Sequence, residues 1–311
     1  MSELPFDQLV RFAGTRRALE RVLDAQADAR VLDVGGFPCT FARHVAQHGN
    51  RWRVETADMQ EGALENYRRI APGPLPYADG EFDAVVSNDT LEHVPPDARE
   101  NFIAELVRVS SGPVIVAAPF HRASVAAVEE ELCALHHDLF GQPHPWLAEH
   151  REYGLPDAAR VIAAIPKLAR AIRIEHNAPL MPWVVWHWSH IARNASEEFE
   201  RQHLAWDAAC REAFASAESR GDVASYRLII TIARDGEAAT LDESTSSGDM
   251  LAPVMVSAVC ATLRAAMRSS GRGGSAQLLR AVDDRLAEAM RVLEQQAAPR
   301  KRGLLDRLSG G

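Results

Sequence analysis

Basic residues are in short supply relative to acids. The 311-residue chain carries 34 Lys and Arg against 43 Asp and Glu, a formal net charge of −9. Binding to a nucleic-acid backbone rests on clustered cations, so the balance argues against RNA or DNA as the main partner. Cysteine is sparse too: Cys39, Cys133, Cys210 and Cys260 stand far apart, with no Cys-x-x-Cys pair. That spacing supports no metal-ligand pattern and fits reduced thiols in a cytoplasmic protein. No apolar run reaches bilayer-spanning length, so no integral membrane segment is expected. The opening Met-Ser-Glu-Leu-Pro-Phe-Asp lacks the basic-then-apolar plan of a signal peptide. Hydrophobic residues at 47% and charged residues at 25% are ordinary for a globular protein, and the length allows a sizeable core in one large domain or two smaller ones.

What is present is concentrated at residues 30–47. Val31, Leu32 and Val34 make a short apolar run with β-branched residues, the mark of a buried parallel strand. Gly35-Gly36 breaks it, and Thr40 can cap a helix carrying Phe41, His44 and Val45 inward. Strand, glycine turn and helix start aim backbone N–H groups at a nucleotide-like ligand. Such sites need an acid for ribose hydroxyls about twenty residues on, and Asp58 ends a second strand candidate there. A third block runs Leu75-Pro-Tyr-Ala-Asp-Gly-Glu-Phe-Asp-Ala-Val-Val-Ser-Asn-Asp-Thr-Leu-Glu-His-Val94.

Together these blocks resemble the class I S-adenosylmethionine-dependent methyltransferases, specifically their small-molecule type 11 branch, closely over roughly residues 29–120 and more weakly at 226–233. The resemblance implies an α/β fold: a doubly wound, seven-stranded Rossmann-like sheet with helical insertions and a C-terminal helical tail. It implies S-adenosylmethionine as cofactor, held by Asp33, Gly35, Gly36, Phe37, Asp58, Met59, Tyr77, Ser87 and Asn88. One departure stands out. The family's Asp-x-Gly-x-Gly-x-Gly loop reads Asp33-Val-Gly35-Gly36-Phe37-Pro38-Cys39 here, and only the first glycine of the series is in place. Phe37 and Cys39 bring side chains to positions where the ligand usually passes bare backbone. A second reading therefore stands beside the enzyme: a non-catalytic, methyltransferase-like scaffold that recruits partners through its C-terminal helices. Asp58 favours the enzyme, since a scaffold has no use for a ribose-binding acid.

In chain order, residues 1–28 carry a helix at 7–27, and the methyltransferase domain spans 29–236. Within it the pattern predicts a second helix at 60–69 and a third strand at 71–76. No acid stands there for adenine, so backbone groups together with Tyr77 or Leu75 are expected to take that part. A fourth strand follows at 82–87, a helix at 95–109 and a fifth strand at 113–120. Helical insertions are expected at about 121–166 and 178–222. The first comprises a helix at 122–139, a loop rich in His, Trp, Gly and Pro at 140–157, and a helix at 158–165. A sixth strand is expected at 171–177 and a seventh, antiparallel, at 225–233. Residues 237–252 read as a polar linker. The tail at 253–311 holds helices at 254–267 and 276–296, the latter with an apolar stripe suited to self-association.

Methyl transfer needs donor and nucleophile in line and a base for the acceptor's proton. His93 lies just past the fourth strand, His121 directly after the fifth, and Asp89 in the same loop as His93; these are the catalytic candidates, with Glu92 beside them. His137, His144 and His150 follow in the insertion. The run His136-His137-Asp138 with His144 and His150 matches no established ligand spacing, so no metal is predicted. Trp183, Trp186, Trp188 and Trp206 are read either as core or as a platform for a ring. The acceptor expected is an oxygen, or a nitrogen, of a small molecule or cell-envelope saccharide.

Overall fold

Alternation along the central strands decides the layering. In strand β1 (Arg30–Val34), Leu32 and Val34 face one side of the sheet and Val31 the other. The computed structural model describes residues 4–165, 171–195, 197–214, 224–233 and Cys260. The linker at 237–252 and, Cys260 apart, the tail with its expected self-association stripe lie outside the described residues.

The remaining strands are β2 (Arg53–Asp58), β3 (Tyr67–Arg69), β4 (Ala84–Asn88), β5 (Val114–Pro119), β6 (Ala171–Pro179) and β7 (Ser225–Ala233). They form one seven-stranded sheet in the order β3-β2-β1-β4-β5-β7-β6. The first five are parallel, whereas β7 runs antiparallel to both β5 and β6. This is the doubly wound sheet expected from the sequence, with its antiparallel seventh strand. Helices α1 (Phe6–Glu20) and α2 (Thr40–Gln47) cover one face through Phe12, Leu19, Phe41 and Val45. Helices α3 (Arg99–Val109) and α6 (Ala158–Ala164) cover the other through Ile103, Leu106 and Val161.

A separate apolar cluster joins α4 (Ala123–Phe140), α7 (Leu180–Ala192) and the start of α1. Trp183, Trp186 and Trp188 are buried within it. Trp183 stacks on Tyr226, and Trp186 donates to Asp207 in α8 (Glu197–Phe214). Of the two readings of these tryptophans, core is the one the structure shows.

Three sequence expectations need correcting. Residues 60–69 do not form a helix. Met59 and Leu64 are exposed, so the stretch has no apolar face to bury. Its chain instead runs irregularly past Gly62, against which the Phe37 ring packs, and turns at Asn66 before entering β3. The third strand accordingly lies at Tyr67–Arg69 rather than at 71–76, where three prolines offer no ladder donors. Finally, 140–157 is not all loop: α5 (Pro145–Tyr153) forms within it, with proline at its start and Gly154 after its end.

Candidate active site

The winding direction reverses between β1 and β4, and the carboxyl ends of such strands border the crevice where doubly wound sheets take ligands. Gly35 N–H donates to Ala57 O at 2.7 Å, tying the glycine turn to β2. Gly35 sits at φ +80°, and a Cβ there would run into the Thr90 side chain. Only glycine suits both the dihedral and the space. Gly36 lies against the Asp33 carboxylate. Cys39, where the family has glycine, holds φ +63°, the left-handed conformation a glycine takes freely. The Phe37 ring packs against Gly62 and the edge of Tyr67, and it is Thr90 that packs onto Gly35.

Asp58 ends β2 beside this loop. Its Oδ2 accepts the Phe37 N–H at 3.1 Å and its Oδ1 the Gln60 N–H at 3.0 Å. A carboxylate has about four acceptor positions, so two remain for ligand hydroxyls. Met59 beside it is exposed. Beneath the turn lie buried polar groups that make no close hydrogen bond among the described residues: both Asp33 oxygens, Ser87 Oγ and Asn88 Nδ2, with the Asn88 amide facing the Asp33 carboxyl at longer range. Asn88 Oδ1 is used, accepting from Thr15 of α1. Orphaned buried polar groups are costly, and their gathering at the adjacent carboxyl ends of β1 and β4 marks a place shaped for a ligand.

Burial pushes the Asp33 carboxyl up to about 7, with the Asn88 amide offsetting this and the Asp58 charge adding to it. The unfolded chain releases this proton near 3.8. The protonated acid therefore contributes stability that is present below about pH 4 and lost as pH rises toward 7. Asp33→Asn should match the parent at pH 4 and exceed it by roughly 2–4 kcal/mol at pH 8. Thermal melts across that range check this, and a stability gap that does not widen with pH would count against it.

Asp89 does not stand as a free base. Both its oxygens are held by Arg227 at 2.7 and 2.8 Å, and Arg11 reaches Oδ2 at 2.9 Å. Asp7 completes the group, 2.7 Å from Arg227 and 2.6 Å from Arg11, and it also accepts from Trp183. Although burial pushes Asp7 up, the Arg227 and Arg11 guanidiniums hold it far below the usual carboxylate range. This network pins α1 across the end of the sheet. Tyr77 is held within the fold: its ring packs edge-on against Phe82, and its hydroxyl donates to Glu55 at 2.6 Å. His121 opens on a cleft of about 320 Å³ between α3 and α6, lined with Arg99, Tyr153 and Arg160 but with no residue of the glycine turn.

His93 is differently placed. It closes a 3-10 turn (Leu91–His93) that begins directly after Thr90, the residue packed on Gly35. Its Nδ1 lies 2.7 Å from Glu149 Oε2, and its Nε2 is 3.4 Å from His150 Nε2. Burial and the neighbouring His150 lower its pKa, with Glu149 opposing them. His150, on α5, faces Glu129 through Nδ1 at 2.9 Å, and Glu129 also accepts from Tyr226. Glu92 is buried and has no partner for Oε2 among the described residues.

Residues 32–115 match the methyltransferase domain family. Over those residues the chain is similar to a methyltransferase domain. The match falls on the sequence blocks that resemble the S-adenosylmethionine-dependent methyltransferases. An uncharacterized methyltransferase of Mycobacterium sp. (strain JLS) is 37% identical over 87 residues, which are 26% of this chain and 34% of that protein. The chain thus matches about a third of that relative's length. Among solved structures, phosphoethanolamine N-methyltransferase 2 of Haemonchus contortus, in complex with phosphomonomethylethanolamine and S-adenosylhomocysteine, is 13% identical. The similarity covers 72% of this chain and 53% of that one, with a TM-score of 0.46. The cyclopropane synthase MmaA2 of Mycobacterium tuberculosis is 15% identical over 71% and 82% of the two chains, with a TM-score of 0.41.

The methyltransferase domain's residues fit the cofactor: Asp58 has acceptor capacity left, and the orphaned groups of Asp33, Ser87 and Asn88 lie beside the glycine turn. Arg227, Asp7, Glu129 and Tyr226 are absent from the residues singled out by sequence. An arginine inside the apolar run Tyr226-Arg-Leu-Ile-Ile is the signal that marks the first of these.

Proposed function

We propose that the chain transfers a methyl group from S-adenosylmethionine to an oxygen, or a nitrogen, of a small molecule. The observation that carries this reading is the set of unpartnered buried groups of Asp33, Ser87 and Asn88 next to Gly35, with Asp58 at the end of β2. Bound cofactor supplies an electrophilic methyl group on a sulfonium. Asp58 would accept the ribose hydroxyls; Gly35, Gly36 and the Phe37 backbone would leave room for the chain of the ligand. Ser87 and Asn88 would line the methyl end. On the acceptor side, lone pairs gather at Glu92, His93 and His150, and the acceptor's proton would leave there. Glu149 fixes the His93 ring, so Nε2 carries the lone pair. With the tryptophans in the core, the aromatic ground for a saccharide acceptor falls away, and a smaller acceptor is the better match. No helix among the described residues is long and apolar enough to cross a membrane, and acceptor entry from solution agrees with that.

The test is turnover. The intact chain, S-adenosylmethionine and a panel of phenols, sugars and amines should yield acceptor-dependent S-adenosylhomocysteine by mass spectrometry. His93→Gln should lower the rate at least tenfold. Absence of both S-adenosylhomocysteine binding and turnover on any acceptor would favour the scaffold instead.

A further inference from the structure

We infer that Glu92, His93 and His150 form a binding site for a divalent transition-metal cation of the zinc type. One ligand atom from each lies within 4.8 Å of the others. The histidines come from separate elements, the turn after β4 and helix α5, and meet through their Nε2 atoms at 3.4 Å.

The group behind each ring fixes its tautomer. Nδ1 of His93 faces Glu149 at 2.7 Å and Nδ1 of His150 faces Glu129 at 2.9 Å. An ionised carboxylate only accepts, so each Nδ1 carries the proton. A neutral imidazole has one N–H, which leaves both Nε2 atoms as lone pairs pointing at each other. Two acceptors face to face repel unless a cation sits between them. The separation exceeds the roughly 2.7–3.2 Å of an ordinary N–H hydrogen bond. It agrees with the spacing of two nitrogens each about 2.0–2.1 Å from one tetrahedral zinc, which is about 3.4 Å.

Glu92 supplies the third ligand. Its side chain is 2% exposed, and Oε2 has no hydrogen-bond partner among the described residues. Three carboxylates thus surround two imidazoles: Glu92 on the lone-pair side, Glu129 and Glu149 behind the rings. Carboxylates behind ligating histidines are the usual second layer of a metal site. Tyr226 O–H donates to Glu129 Oε1 at 2.7 Å and fixes that carboxylate in turn. Two histidines and a glutamate leave a fourth position of a tetrahedral ion open, as catalytic zinc sites do. What the ion would do there rests on the methyl-transfer reading: it would lower the pKa of an acceptor hydroxyl at the open position, whose proton would pass to solvent water, and would hold the resulting alkoxide in place of a free histidine base. Metal binding itself does not depend on that reading.

The test is a Co²⁺ titration of the chelator-stripped, intact chain. The expected result is one ion per chain with the strong visible band of four-coordinate cobalt, displaced by Zn²⁺. His93→Gln, at a half-buried position, should abolish the band or weaken binding at least a hundredfold, and His150→Gln should do the same. Glu149→Gln should weaken binding about 10- to 100-fold while leaving the band's shape. Circular dichroism confirms folding of each variant; if His150→Gln does not fold, His93→Gln decides. Absence of a stoichiometric ion, or a band unchanged in His93→Gln, would overturn the site and leave the two rings sharing a proton. S-adenosylhomocysteine binding, measured separately on metal-free protein, tells failure of this site from failure of the methyltransferase reading.

Discussion

Replacing Arg227 by methionine is expected to destabilise the chain by about 3–5 kcal/mol, the usual result of stripping one partner from a buried charge group. Arg227 is 1% exposed and bonds both Asp7 and Asp89. Burial disfavours its charge, yet the two carboxylates raise its pKa above the ordinary arginine value. Without it, Arg11 alone would face two buried carboxylates, and it is the more exposed of the two guanidiniums. Against a total stability of about 5–15 kcal/mol the loss is large, and a melting temperature lower by roughly 10 °C is expected. Adding Asp89→Asn to that variant should recover part of the loss, because one uncompensated charge is then gone. A drop of under about 2 °C in Arg227→Met, or no recovery in the double variant, would show that the network does not hold α1 across the sheet.

The second large effect concerns the cofactor. Asp58→Ala should weaken S-adenosylhomocysteine binding roughly a hundredfold, from loss of hydrogen bonds to a charged acceptor at about 1.5–3 kcal/mol each. The same change frees the Phe37 and Gln60 N–H groups, so the loop should loosen as well. Asp58→Asn keeps the size and one oxygen, and should fall between the two. Calorimetric titrations of the three proteins check the order. Equal affinity in all three would remove Asp58 from the site.

The β1–turn–α2 unit and the two central strands are legible in the sequence because buried parallel strands write continuous apolar runs, and the glycine pair leaves no other local solution. Asp58 follows from its spacing alone. At residues 60–69, Ala63 and Leu64 suggest a helix, whereas the Phe37 ring claims the space at Gly62 and Tyr67 bonds back to Gln60. Tyr77 suits adenine on position alone; which face of the sheet it joins depends on Phe82 and Glu55, which no periodicity reveals. Asp89 has the position of a base because it follows β4. Its partner Arg227 lies 138 residues away, and only the antiparallel placement of β7 against β5 brings the two together. His93 and His150 are likewise 57 residues apart, joined by a helix inside what reads as a loop.

A calorimetric titration of the intact chain with S-adenosylhomocysteine bears most directly on the cofactor site. One site per chain is expected, with affinity that survives Tyr77→Phe and falls in Asp58→Ala. No heat of binding at millimolar ligand would contradict the assignment of the glycine turn, Asp33 and Asp58 to that site.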